Sequence, residues 1–189
     1  MIVSHEHRFV YVALPHTAST STRSWLVKEY GGVKEGADHS AYFPKGCEDY
    51  LFWTITRDPF DMACAMWRKF ARRADHDALW NYLDHHDIPP PGNFADFTRM
   101  LATPGLIHFP DARRFVHWPP LRHGKPIADR FDYILDFEEM PDCLTMLPFV
   151  SDVTTFPHYN RNGADLEGWE TPDNPATRAL VREWTEVNG

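Results

Sequence analysis

The stretch "YVALPHTASTSTRSWL", residues 11–26, runs from β-branched and aromatic residues through one proline into small and hydroxylated residues, and apolar spacing resumes at Trp25 and Leu26. "RFVYVAL" (8–14) has the composition of a strand and stops at Pro15. Thr20 to Tyr30 places Trp25, Leu26 and Tyr30 at helical intervals and ends at Gly31 and Gly32. The spacing therefore predicts a strand, a loop and a helix. In such a unit the first N–H groups of the helix point back at the loop with partial positive charge, which suits an anionic oxygen. Thr17, Ser19, Thr20, Ser21 and Thr22 add hydroxyl donors around that point. Plain helix capping by Ser or Thr explains the same residues equally well. The GxxxxGK[ST] pattern of a nucleotide triphosphatase is absent.

The design recurs. "YLFWTIT" (50–56) is the most apolar short run and is expected to be a central strand buried on both faces. It breaks at "RDP" before "FDMACAMWRKFARRA" (60–74) resumes at helical period. Arg57 falls just past the strand end, where a guanidinium presents a planar pair of donors to a phosphate. The alternative is an ion pair with Asp58 or Asp61, with Pro59 starting the helix. A third strand, "FDYILDF" (131–137), precedes "EEMPDCLTML" (138–147), read as a helix with Pro141 in its first turn. Further helices are expected over 76–86, 94–103 and 175–187. Three such units predict an α/β fold, one domain over 1–189, with a central parallel sheet flanked by helices and ligands gathered where strands end and helices begin.

Composition bounds the function. The 189 residues, 43% of them hydrophobic, suffice for one substantial core. Lys and Arg number 19 against 27 Asp and Glu, and the net charge of −8 opposes nucleic-acid binding, so any anion site is local. Cys47, Cys64 and Cys143 form no CxxC pair, which argues against a disulfide framework and a thiolate zinc site. "HEH" (5–7) and "HDALWNYLDHHD" (76–87) fit no standard metal signature, so no metal is expected. "MIVSHEHRFVYVAL" acquires charge too quickly for a signal peptide, and no long apolar window follows. The expectation is a soluble, cytoplasmic protein with no membrane or nucleic-acid partner. The proline clusters "DIPPPGN" (87–93) and "HWPPLRHGKP" (117–126) read as loops within one domain.

"LPHTASTS" together with "TITRDPFDMACAMW" resembles the two signature loops of the sulfotransferases that use 3′-phosphoadenosine 5′-phosphosulfate (PAPS), especially the carbohydrate branch. In that family the first loop reads P-K-T-G-[GT]-[ST]-[ST] and grips the 5′-phosphosulfate; the second reads R-[DN]-P-x-[DE]-R-x-x-S and grips the 3′-phosphate. "DYILDFEEMPDCLTML" is similar to the family's strand with a D-x-(apolar)-x-F-E-x-(apolar) ending. "FPHYNRNG" (156–163) is similar to a late segment near the cofactor, and "NPATRALVREW" to the closing helix.

The resemblance implies a P-loop NTPase-like sulfotransferase fold and a cofactor site at Pro15, His16, Thr17, Ala18, Ser19, Thr20, Ser21, Arg57, Ala65 and Arg161. His16 stands where the family has lysine, Met62 where it has arginine, and Ala65 where it has the serine that shares the 3′-phosphate. The implied reaction moves a sulfuryl group in line from PAPS to a hydroxyl acceptor, a carbohydrate or other small molecule, and leaves 3′-phosphoadenosine 5′-phosphate (PAP). Negative charge builds on the departing phosphate oxygen while a base takes the acceptor's proton. A protonated His16 is the candidate cation. His117 and His108 are the candidates for the base, and Asn160 and Arg161 for closing over the nucleotide. Two rival readings stand beside this one: a PAP- or PAPS-binding module with impaired catalysis, and a small-molecule phosphotransferase, which requires magnesium.

Overall fold

The computed structural model describes residues 1–14, 16–36, 44–71, 78–102, 121–122, 125–126, 131–157 and 173–188. The strands are β1 (Ile2–Ser4), β2 (Phe9–Val12), β3 (Val33–Lys34), β4 (Leu51–Thr56), β5 (Leu121–Arg122), β6 (Lys125–Pro126) and β7 (Tyr133–Asp136). The helices are α1 (Ser19–Glu29), α2 (Pro59–Ala71), α3 (Ala78–His85), α4 (Phe94–Ala102) and α5 (Pro175–Asn188). The chain divides into two compact units, one formed by 1–58 with 119–162 and the other by 59–118 with 163–189.

The first unit carries a five-stranded sheet in the order β3-β1-β2-β4-β7. β4 runs parallel to β2, from Phe9↔Leu51 to Val12↔Thr54, and parallel to β7, from Trp53↔Tyr133 to Thr56↔Asp136. The protein is therefore α/β, as its sequence indicates. The parallel sheet expected from the sequence holds for the central strands β2, β4 and β7, but β1 is antiparallel to both β2 and β3, so the sheet as a whole is mixed. The reason lies at the start of the chain. Three residues, "IVS", make a strand too short to signal itself by periodicity, and "HEHR" then turns the chain back, with Arg8 at φ 52 and the His7 N–H donating to Ser4 Oγ at 3.2 Å.

β4 is buried on both faces, as its apolar run predicts: Phe52, Trp53, Thr54 and Ile55 are all 3% exposed or less. Alternation along the strands sorts the core. Phe9, Tyr11, Trp53, Ile55 and Leu135 pack with Trp25 and Leu26 of α1, while Val3, Val10, Val12 and Phe52 form a separate cluster with Met1 and Cys47. The buried Thr54 hydroxyl donates to the Val12 carbonyl at 2.8 Å, which satisfies it without water. α1 stops where expected: the N–H groups of Tyr30 and Gly32 both donate to Leu26 O, and Gly31 takes φ 59. Gly32 is required for a second reason, because a Cβ there would meet Ile2 Cγ2 of β1 at 2.5 Å.

The helix expected over 138–147 is also corrected. Two 3-10 turns, Phe137–Glu139 and Asp142–Met146, occupy the segment, separated by Met140 in extended conformation. A residue before proline is pushed out of the helical region, so Pro141 divides the segment where the sequence reading had it start a helix.

The second unit is helical among the described residues. Trp67, Phe70, Leu83, Phe94, Phe97, Leu101 and Val181 are buried together, and Trp80 stacks on Phe70 at 4.5 Å between ring centroids. Asn93 caps α4 by accepting the Asp96 N–H at 2.9 Å, and Asn174 caps α5 by accepting from Ala176 and Thr177. No helix among the described residues is long and apolar enough to cross a membrane.

Candidate functional site

The register of the sheet brings three strand ends together within the first unit. Val12 of β2 lies beside Thr54 of β4, and Thr56 of β4 beside Asp136 of β7. Because these strands are parallel, the loop after β2, the Arg57–Asp58 step after β4 and the turn Phe137–Glu139 after β7 leave the sheet at one edge.

The first loop has an unusual backbone for a segment without glycine. His16 has φ 58 and Ala18 has φ 55, whereas Thr17 between them does not have positive φ and Ser19 begins α1. Such alternation of sign turns successive N–H groups to one side and makes a concavity suited to an anion. Each left-handed non-glycine residue costs about 1 kcal/mol, so the surrounding structure holds this geometry against strain. Thr17 is buried and donates its hydroxyl to Leu14 O at 2.8 Å, locking the start of the loop.

The choice between capping and anion binding, open in the sequence, is informed by what the hydroxyls do. Ala18 occupies the N-cap position of α1 and makes no side-chain cap, in contrast to the asparagine caps of α4 and α5. Ser19, Ser21 and Thr22 are buried, leaving Thr20 as the exposed hydroxyl of the run. The array of five hydroxyl donors expected around one point is thus corrected. Thr17, Ser19, Ser21 and Thr22 are buried, so four of the five hydroxyls pack inward.

Arg57 joins the first and second sequence motifs. Its Nη1 donates to the His16 carbonyl at 3.0 Å, its Cζ stands 4.1 Å from the Phe137 ring centroid, and its Nε lies 4.0 Å from Glu138 Oε1. The guanidinium is thereby held among the three strand ends with its side chain 16% exposed. Arg23, on the first turns of α1, folds back so that its Nε donates to Ser19 O at 3.1 Å, which adds a second cation near the loop.

Beneath the loop lies a fully buried polar pair. Tyr11 Oη and Thr22 Oγ1 are both buried, and neither completes a hydrogen bond of normal length among the described residues. Burial pushes the Tyr11 phenol well above its ordinary value, an effect partly offset by the Thr22 hydroxyl, Arg23 and the Thr17 hydroxyl.

His16, Thr17, Ala18, Ser19, Thr20, Ser21 and Arg57 therefore fall together in the first unit. Ala65 is buried on α2, in the second unit. Pro15, His108, His117, Asn160 and Arg161 lie outside the described residues. Among the described residues no group of three or more His, Cys, Asp or Glu is placed to hold a metal ion. Arg23 and the Asp136-Phe137-Glu138 turn escaped the sequence reading. The "DFE" segment reads in the sequence only as a strand ending, and its proximity to Arg57 is legible only once β4 and β7 are known to be neighbours. Compared with family models, curated proteins and solved structures, the chain matches none of them.

Proposed function

We propose that the β2–α1 loop binds the phosphosulfate end of PAPS, that Arg57 binds its 3′-phosphate, and that the protein is a PAPS-dependent sulfotransferase of P-loop-like fold acting on a hydroxyl acceptor, with carbohydrates the favoured class. The observation that carries this reading is the 3.0 Å hydrogen bond from Arg57 to the His16 carbonyl, which ties together two motifs 41 residues apart. The uncapped α1 N-terminus and the alternating φ signs suit a phosphate in place of a side-chain cap.

When bound, PAPS supplies the activated sulfuryl group. The loop amides and the Thr20 hydroxyl then hold phosphate oxygens, and a protonated His16 lowers the cost of charge arriving on the bridging oxygen. Arg57, already oriented by His16 O and Phe137, gives a planar pair of donors at low ordering cost. Histidine in the position of the family's lysine favours a second reading, nucleotide binding without transfer.

Calorimetry with PAP in the absence of metal tests the site, and a labelled-sulfate assay against a panel of hydroxyl acceptors tests the reaction. Arg57→Ala is expected to weaken PAP binding by about 10- to 100-fold, the weight of a charge-assisted contact. Unchanged binding in Arg57→Ala, or no binding by the wild type, overturns the reading; binding with no transfer selects the second.

A further inference from the structure

The turn after β7 acts on Arg57 from two sides. Asp136 Oδ1 accepts the Glu138 N–H at 3.1 Å and shapes the turn, which sets Phe137 under the guanidinium and Glu138 beside its Nε. At 4.0 Å the Glu138 carboxyl stands at the outer limit of an ion pair, with its side chain 39% exposed. Burial first, and then the neighbouring Asp136 carboxyl, holds Glu138 above the usual carboxylate range, while its own backbone N–H and that of Asp58 pull the other way. Asp136 is held below that range, chiefly by its bonds with Glu138. The two carboxyls titrate as a pair, with Glu138 the member that takes up a proton first as the pH falls.

We propose that Glu138 is the internal counter-charge of Arg57, and that an incoming dianion takes its place and draws a proton onto the Asp136–Glu138 pair. This rests on reading Arg57 as an anion-binding residue. The physical reason is that an anion placed on Arg57 also lies against Glu138, and like charges at that distance favour the neutral carboxyl. The other titratable groups near the pair are Arg57, Asp58, whose backbone N–H acts on Glu138, Glu139 in the same turn, and Cys143, whose Sγ donates to Asp136 O at 3.3 Å. The Cys143 thiol is pushed up to about 11, by burial first and then by Glu139, Asp136 and Asp142, so it takes no part in mild acid. Glu138 is a positioning residue here: it sets the charge that Arg57 presents, and makes the affinity for anions rise as the pH falls.

Sulfate is the probe, because it keeps both charges in mild acid and contributes no proton of its own. Calorimetric titration of the full chain over about pH 5 to 8, in two buffers of different ionisation heat, counts the protons taken up per sulfate. The wild type is expected to take up a fraction of one proton. Glu138→Gln should remove that fraction and tighten sulfate binding about tenfold near neutrality. Asp136→Asn keeps an acceptor for the Glu138 N–H but removes the carboxyl that raises Glu138. It should shift proton uptake to lower pH, which a merely structural role would not do. Thermal melts confirm that each variant is folded. Uptake unchanged in Glu138→Gln, or lost wholly in His16→Asn, overturns the inference and leaves the nucleotide reading standing. Sulfate binding with Glu138-linked uptake but no PAP binding does the reverse, and absence of sulfate binding in both wild type and Glu138→Gln overturns both.

Discussion

Ala18 is the most informative residue to perturb, because its left-handed backbone carries the loop geometry on which the proposed anion site depends, while its side chain makes no cap. At φ 55 and ψ 22 an alanine pays about 1 kcal/mol for the left-handed region. Ala18→Gly removes that strain, and glycine returns about 0.4 to 1 kcal/mol through the greater freedom of its unfolded chain. The balance is a stabilisation of about 0.5 kcal/mol or less, a rise of about 1–2 °C in Tm for a chain of this length. Ala18→Val works in the opposite direction. A β-branched residue tolerates this region worst, so a further loss of about 2 kcal/mol is expected, a fall of about 4–8 °C. Urea and thermal melts followed by circular dichroism measure both variants, and sulfate calorimetry reads the site. Glycine is expected to preserve anion affinity and valine to abolish it. Destabilisation by glycine, or a valine variant as stable as the wild type, would refute the alternating backbone and with it the concavity.

Removing the buried Tyr11 hydroxyl in Tyr11→Phe should leave stability unchanged or raise it by up to about 1 kcal/mol, since that group completes no normal hydrogen bond; a loss of similar size in urea melts counts against this. Thr17→Val removes the 2.8 Å bond to Leu14 O and should cost about 1–2 kcal/mol by the same measurement, whereas Thr20→Val, at an exposed position, should cost little. If His16 is the cation of the transfer step, His16→Lys extends activity to more alkaline pH than the wild type; a lysine variant with no alkaline gain in the pH–rate profile defeats the idea. Glu138 also links stability to pH. The folded state holds its proton more tightly than the unfolded chain does, so stability falls as pH rises from the ordinary carboxylate range through the raised value. Glu138→Gln should remove that slope in melts taken across mild acid.

The elements legible in the sequence were those whose signal is local. Apolar continuity identified β4, because a strand covered on both faces needs no alternation, and Pro15 and Gly31 bracketed the first loop and helix to within a residue or two. The burial of Trp25 followed from its helical spacing with Leu26 and Tyr30. The three-residue β1 had no local signal, and its antiparallel pairing made the sheet mixed. Pro141 was read as a helix start, although the restriction it places on Met140 divides the segment into two short turns.

The candidate site divides along the same line. The sequence by itself determined the α/β class, the loop after β2 and the position of Arg57 at a strand end, since each depends on residue types within a few positions of one another. Only the tertiary structure decided which strands are neighbours. The parallel order β2-β4-β7 places His16, Arg57 and Glu138 at one edge of the sheet, though 41 and 81 residues separate them in turn. It also decided the use of the hydroxyl run. Ser19, Ser21 and Thr22 are buried and Thr20 is exposed, a division that depends on which side of α1 meets the sheet.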